Sequence, residues 1–108
     1  MGTPKRVVVW GTGFVGRMVI GEIVRHPEFE LVGVGVSNPD KVGRDVSEIC
    51  GLADPVGIAA TDDLDVLIGL RPDALVHYGP TAAHAEENIR LIGRVLRAGI
   101  DVCSLSLH

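Results

Sequence analysis

Short apolar runs, broken by glycine, proline and acidic turns, alternate in this chain with longer stretches whose apolar residues recur every three or four positions. The first run, Val7-Val8-Val9-Trp10, is β-branched and ends at a glycine, which predicts a buried strand. From Phe14 the period changes. Val15, Met18, Val19, Glu22, Ile23 and His26 make one helical face, and Pro27 stops that helix because it supplies no backbone donor and disfavours helix at the residue before it.

Glu30 to Val36 is predicted as the second strand, with Gly33 and Gly35 letting a helix or a cofactor come close to the backbone. Ser37-Asn38-Pro39-Asp40 is a loop by its turn chemistry. A short helix is expected within Val42 to Ile49, a loop from Cys50 to Pro55, and a weak third strand over Gly57 to Ala60. Thr61 is the expected N-cap of the next helix, with Asp62 and Asp63 in its first turn, where the helix dipole favours acids. Leu64, Val66, Leu67 and Leu70 give that helix its apolar residues. A fourth strand follows over Ala74 to Tyr78 and a long helix within Thr81 to Ala98. Gly99 takes the helix C-terminal glycine position, and Ile100 to Leu105 is the fifth strand.

Right-handed crossovers turn this alternation into an α/β fold of the Rossmann type, a parallel sheet of five strands in the order 3-2-1-4-5 flanked by helices. Residues 1–108 read as one dinucleotide-binding domain. The chain stops one step past the fifth strand, where such a domain usually adds a covering element. The expectation is therefore a truncated N-terminal part of a larger protein, with the substrate domain absent. An uncovered fifth strand would also invite self-association.

Composition agrees with this reading. The chain is 46% hydrophobic and 22% charged over 108 residues, which argues against disorder and allows one small core. Its apolar residues are mostly Val, Leu, Ile and Ala, suited to strands covered on both faces. A net charge of -4 with scattered Lys and Arg argues against a nucleic-acid partner. The two cysteines, Cys50 and Cys103, have no metal-ligand spacing, so buried thiols in a reducing compartment are expected, and no metal. Residues 1–6 lack the apolar stretch of a signal peptide, and no run reaches the roughly 18 apolar residues of a membrane span. A soluble cytoplasmic protein without a membrane partner is the resulting expectation.

The chemistry-bearing feature is Gly11-Thr12-Gly13-Phe14-Val15-Gly16, a G-x-G-x-x-G that follows the first strand and opens the first helix. Gly11 would permit the tight turn, Gly13 the approach of a pyrophosphate, and Gly16 the close packing of helix on strand. The free N–H groups and positive dipole end of the helix would then hold the phosphates. A plain glycine turn is the competing reading. The end of the second strand selects the cofactor. Where NAD-binding domains usually carry an acid for the ribose 2′-hydroxyl, this chain has the neutral pair Ser37 and Asn38, with Lys41 and Arg44 shortly after. These cations suit a 2′-phosphate, so NADP is favoured with NAD tolerated. Solvated loop charge is the alternative for both, and Asp40 is an alternative ribose acid. Ligands sit beyond the carboxyl ends of such strands, which places Tyr78, Gly79, Pro80 and Thr81 beside the nicotinamide, with Ser104 to Ser106 nearby. His77 and His84 lie close and read as structural. No catalytic residue is identifiable, since no Ser-His-Asp arrangement can be argued.

The glycine motif, with Leu31 to Val36 running into Ser37-Asn38-Pro39-Asp40-Lys41-Val42-Gly43-Arg44-Asp45, resembles the N-terminal domain of dihydrodipicolinate-reductase-like proteins. Within that group it is most similar to the branch of 2,4-diaminopentanoate dehydrogenase and the native amine dehydrogenases. Ala60 to Leu64 and Pro72 to Val76 fit the same pattern, and the resemblance covers almost the whole chain. It implies interconversion of an amine and a ketone, or reduction of an imine-like bond, by hydride transfer from NAD(P)H to an iminium carbon in a dry pocket. It also implies a small-molecule amine or ketone substrate and a homo-oligomeric full-length protein. The Tyr78-Gly79-Pro80 loop departs from the glycine-threonine type loop of dihydrodipicolinate reductases proper, which points away from lysine biosynthesis. A sugar or inositol dehydrogenase and a non-catalytic dinucleotide-sensing module are the alternatives. The isolated 108 residues are expected to be inert.

Overall fold

The computed structural model describes residues 4–11, 14–36, 38–77, 94–95 and 97–104. Its elements are β1 (Lys5–Trp10), α1 (Phe14–Arg25), β2 (Phe29–Gly35), a 3-10 turn (Pro39–Lys41), α2 (Val46–Cys50), α3 (Leu64–Gly69), β3 (Ala74–His77) and β4 (Asp101–Ser104). The strands form one parallel sheet in the order β2-β1-β3-β4.

Strand alternation divides the core between the two faces of the sheet. Val7 and Val9 point to one face, where they meet Ile20 and Ile23 of α1 and Val46 and Ile49 of α2. Val8 points to the other, against Leu64 and Leu67 of α3, Leu75, Val95 and Ile100, with Trp10 packed at its margin. The β1–β2 register slips between Val7 and Val8, since Val7 pairs with Leu31 and Val8 with Gly33. That bulge turns both Val32 and Gly33 toward α3, where a Cβ on Gly33 would come within 2.7 Å of the Leu67 side chain. The expected close approach to β2 is thus made by two leucines, Leu67 of α3 and Leu70 just after it, at 2.7 and 3.0 Å from that Cβ position.

The expected third strand, Gly57 to Ala60, does not form a strand of the sheet among the described residues. Its backbone pairs antiparallel with the preceding loop instead: Gly43 N–H donates to Ala60 O at 2.8 Å, Ala60 N–H to Arg44 O at 2.9 Å, and Val46 N–H to Ile58 O at 2.9 Å. Only Thr61 reaches β2, donating to Val34 O and accepting from Val36 N–H. The segment lies beside β2 as expected, but its hydrogen bonds go to residues 43–46, so among the described residues the sheet has four strands.

A second correction concerns α3. Its N-cap is Asp63, whose carboxylate accepts from Asp65 N–H at 3.0 Å, while Thr61 stands two residues earlier and accepts from Asp63 N–H through Oγ1 at 3.1 Å. Arg94, Val95 and Arg97 are helical, Arg94 pairs with Asp65, and Ile100 N–H donates to Val95 O beyond Gly99 as in a Schellman ending. Tyr78, residues 79–93 and residues 105–108 lie outside the described residues, so the expected long helix and the end of the fifth strand are seen only in part. Among the described residues no helix is long and apolar enough to cross a membrane.

Candidate functional site

The parallel register brings the carboxyl ends of all the strands to one side. Trp10 pairs with Gly35 on one flank and His77 on the other, and His77 pairs with Ser104. Ligands of open parallel sheets bind along this edge.

At the end of β1 the chain turns at Gly11, which has a φ of 114° and whose N–H donates to Gly35 O at 2.9 Å. α1 begins at Phe14 and is seated directly on that turn: a Cβ on Gly16 would lie 2.3 Å from Gly11 O and 3.0 Å from its carbonyl carbon. No side chain fits between them, so the first turn of α1 is held against the strand end by backbone contact. Its leading N–H groups have no acceptor within the helix, and a pyrophosphate fits such a turn. Thr12 and Gly13 lie outside the described residues, and Val15 occupies the first helical turn.

At the end of β2 the sequence singled out Gly35 as a point of close approach. The approaching group is the indole of Trp10, since a Cβ on Gly35 would fall 1.9 Å from a Trp10 ring carbon. Ser37 is outside the described residues. Asn38 caps the 3-10 turn, its side-chain oxygen accepting from Asp40 N–H at 3.0 Å. Lys41 closes that turn half-buried, and Arg44 is exposed three residues on. Asp40 is exposed in the same turn, its N–H taken by the Asn38 side chain.

Sequence reasoning gave no role to Asp45, which joins this loop together. One carboxylate oxygen accepts from Ser47 N–H at 2.8 Å and Val56 N–H at 3.1 Å, and the other from Gly57 N–H at 2.8 Å. The Ser47 hydroxyl, followed by these amides, holds the Asp45 carboxyl well below the usual carboxylate range. A signal was present: Asp45 precedes Val46 and stands three residues before Glu48, the spacing of a helix-capping pair. Arg17 escaped notice as well. It follows Gly16 on α1 and acts, with Lys41, on the Cys50 thiol, whose pKa burial raises against the pull of both cations.

His77 is 2% exposed at the end of β3. Tyr78, Gly79, Pro80 and His84 lie outside the described residues. Among the described residues no cluster of His, Cys, Asp and Glu is arranged to hold a metal ion.

A parallel sheet covered on both faces, with a glycine turn under a helix N-terminus, defines a Rossmann-type dinucleotide-binding domain. The family model for the N-terminus of dihydrodipicolinate reductase matches residues 5–98, and the chain belongs to that family. An amine dehydrogenase of Streptomyces virginiae is 41% identical over 101 residues, which cover 94% of this chain and 28% of that protein. A 4-hydroxy-tetrahydrodipicolinate reductase of Mastigocladus laminosus is 31% identical over 97 residues, 82% of this chain and 34% of the reductase. Among solved structures, the amine dehydrogenase from Mycobacterium smegmatis superposes with a TM-score of 0.80 at 27% identity, covering 95% of this chain and 30% of that one. The protein RSP in complex with beta-NADH shares the fold at 17% identity and a TM-score of 0.71, covering 97% of this chain and 47% of that one. The chain spans about a third or less of the length of the curated relatives named here.

Proposed function

We propose that residues 1–108 form the NAD(P)H-binding domain of an oxidoreductase that acts on a carbon–nitrogen bond, interconverting small amines with ketones or imines, and that the cofactor is NADPH in preference to NADH. The observation that carries the reading is the seating of α1 on the Gly11 turn, so close that Gly16 has no room for a side chain, which suits a pyrophosphate site. The 41% identity to an amine dehydrogenase supports the amine chemistry.

In this reading Gly11, Thr12, Gly13, Phe14, Val15 and Gly16 hold the pyrophosphate through backbone amides at the start of α1. Ser37 and Asn38 face the adenosine ribose, and Lys41 and Arg44 take its 2′-phosphate. Tyr78, Gly79 and Pro80 line the nicotinamide side. Once bound, the nicotinamide supplies or accepts the hydride. The sheet's carboxyl edge orients it, and the substrate-binding part of the enzyme lies outside residues 1–108. The protein works as a homo-oligomer in the cytoplasm.

Equilibrium titration of the intact protein with NADPH and with NADH, followed by nicotinamide fluorescence, tests this. Tighter NADPH binding is expected. Binding of neither would refute the assignment of residues 11–16.

A further inference from the structure

We infer that Asp45 is a positioning residue for cofactor choice, fixing the loop that carries Lys41 and Arg44 so that the site discriminates a 2′-phosphate from a 2′-hydroxyl; this rests on the cofactor reading above. The loop has no sheet strand to hold it. From Asn38 to Val42 its backbone bonds are local turns, Lys41 N–H to Asn38 O and Val42 N–H to Pro39 O, and Arg44 N–H reaches back to Lys41 O. Its attachment to the body comes at Gly43, Arg44 and Val46, which pair with Ala60 and Ile58.

That partner segment is itself a single stretch of extended chain, joined to β2 through Thr61. What closes the arrangement is the Asp45 carboxylate. It gathers Val56 N–H and Gly57 N–H, just before the paired stretch, and Ser47 N–H, just after the loop. The loop, α2 and residues 56–61 therefore form one ring of hydrogen bonds, anchored to the end of β2 at Thr61 and closed across by one ionised side chain. Without that closure three amides lose their acceptor and the ring opens on the side away from β2. The pairing of Gly43 and Arg44 with Ala60 then stands without its brace, and Lys41 and Arg44 are held less firmly relative to the ribose end of the site. The glycine turn, held by its own backbone contact and by Gly35 O, stays in place. Loss of Asp45 should therefore weaken binding of the phosphorylated cofactor selectively.

The test is titration of the intact protein and of Asp45→Ala and Asp45→Asn with NADPH and NADH, with amide hydrogen exchange on the cofactor-free proteins. In Asp45→Ala the NADPH Kd is expected to rise about tenfold, the scale of one lost charge-assisted contact, with the NADH Kd changed by less than about twofold. Ser47, Val56 and Gly57 amides should exchange faster. Asp45→Asn, which keeps one good acceptor oxygen, should recover part of the NADPH affinity, and it provides the same test if the alanine variant does not fold. In a Lys41→Ala/Arg44→Ala background, Asp45→Ala should change NADPH binding no further. An unchanged ratio of the two Kd values, or equal weakening of both, would overturn the inference while leaving the cofactor reading intact. Failure of the unmutated protein to bind either cofactor would instead remove the reading on which it rests.

Discussion

The ends of β1 and β2 lie side by side, yet they are built by opposite means. After β1 the chain is held by backbone against backbone: α1 sits on Gly11 O with no room for a single methyl at Gly16. After β2 it is held by side chains, with Asn38 capping the 3-10 turn, Asp45 gathering three amides and Thr61 reaching back to the strand. The first arrangement cannot vary without failing, which suits the part of a cofactor common to all dinucleotides. The second changes with one polar side chain, which suits the part that distinguishes them.

The largest expected effect breaks the rigid side. In Gly16→Ala the new methyl meets a carbonyl oxygen at 2.3 Å, so α1 must move. Overpacking of this kind costs about 1–3 kcal/mol. Affinity for both cofactors should fall by roughly a hundredfold, because displaced helix amides lose several charge-assisted contacts at once. Thermal unfolding and parallel titrations would show it, and no substitution elsewhere should rescue it, since the obstacle is backbone. Gly35→Ala sharpens the contrast. Its clash is with the Trp10 ring, a side chain, so it should destabilise by about 1–3 kcal/mol alone and recover in combination with Trp10→Leu.

Smaller effects are expected on the adjustable side. Lys41→Ala or Arg44→Ala should each weaken NADPH by about tenfold and leave NADH within about twofold, by fluorescence titration, if each cation meets the 2′-phosphate. Asp45 adds a pH dependence. Its folded-state pKa lies below that of the unfolded chain, so its stabilisation is complete above the ordinary carboxylate value of about 3.9 and disappears as the pH falls through the lower folded value. The difference in Tm between the wild-type protein and Asp45→Asn should therefore be full at pH 7 and shrink only in strong acid. A difference already shrinking near pH 6 would contradict it.

The two ends also differed in how far the sequence disclosed them. β1, α1, β2 and the glycine turn were legible because burial on both faces imposes runs of Val and Leu on the strands, and close packing imposes glycine. The segment 57–60 was misread because its apolar residues show burial but not which partner takes the backbone. That choice was made by Gly43, Arg44 and Val46 across the chain, a pairing no local pattern reports. Asp45 was overlooked for the same reason. As a helix cap it was visible in the spacing to Glu48, but the amides of Val56 and Gly57 come to it only through the fold.

The smallest effect concerns the start of α3, where local sequence permitted two answers. Both Thr61 and Asp63 are capping residues by type, and the structure uses them in series: Thr61 Oγ1 receives Asp63 N–H, and Asp63 receives Asp65 N–H. Only the second bond satisfies an amide of the helix itself, so Asp63→Ala should cost about 1 kcal/mol, the usual worth of an N-cap. Thr61→Ala removes the acceptor for the N–H of the cap residue Asp63, which lies outside the helix, while the Thr61 backbone pairing with Val34 and Val36 remains, and should cost about half as much or less. Denaturant unfolding of the two variants would rank them. The reverse order would place the cap at Thr61 and lengthen α3 by a half-turn toward β2, drawing Thr61 away from the strand end that it joins to residues 43–46.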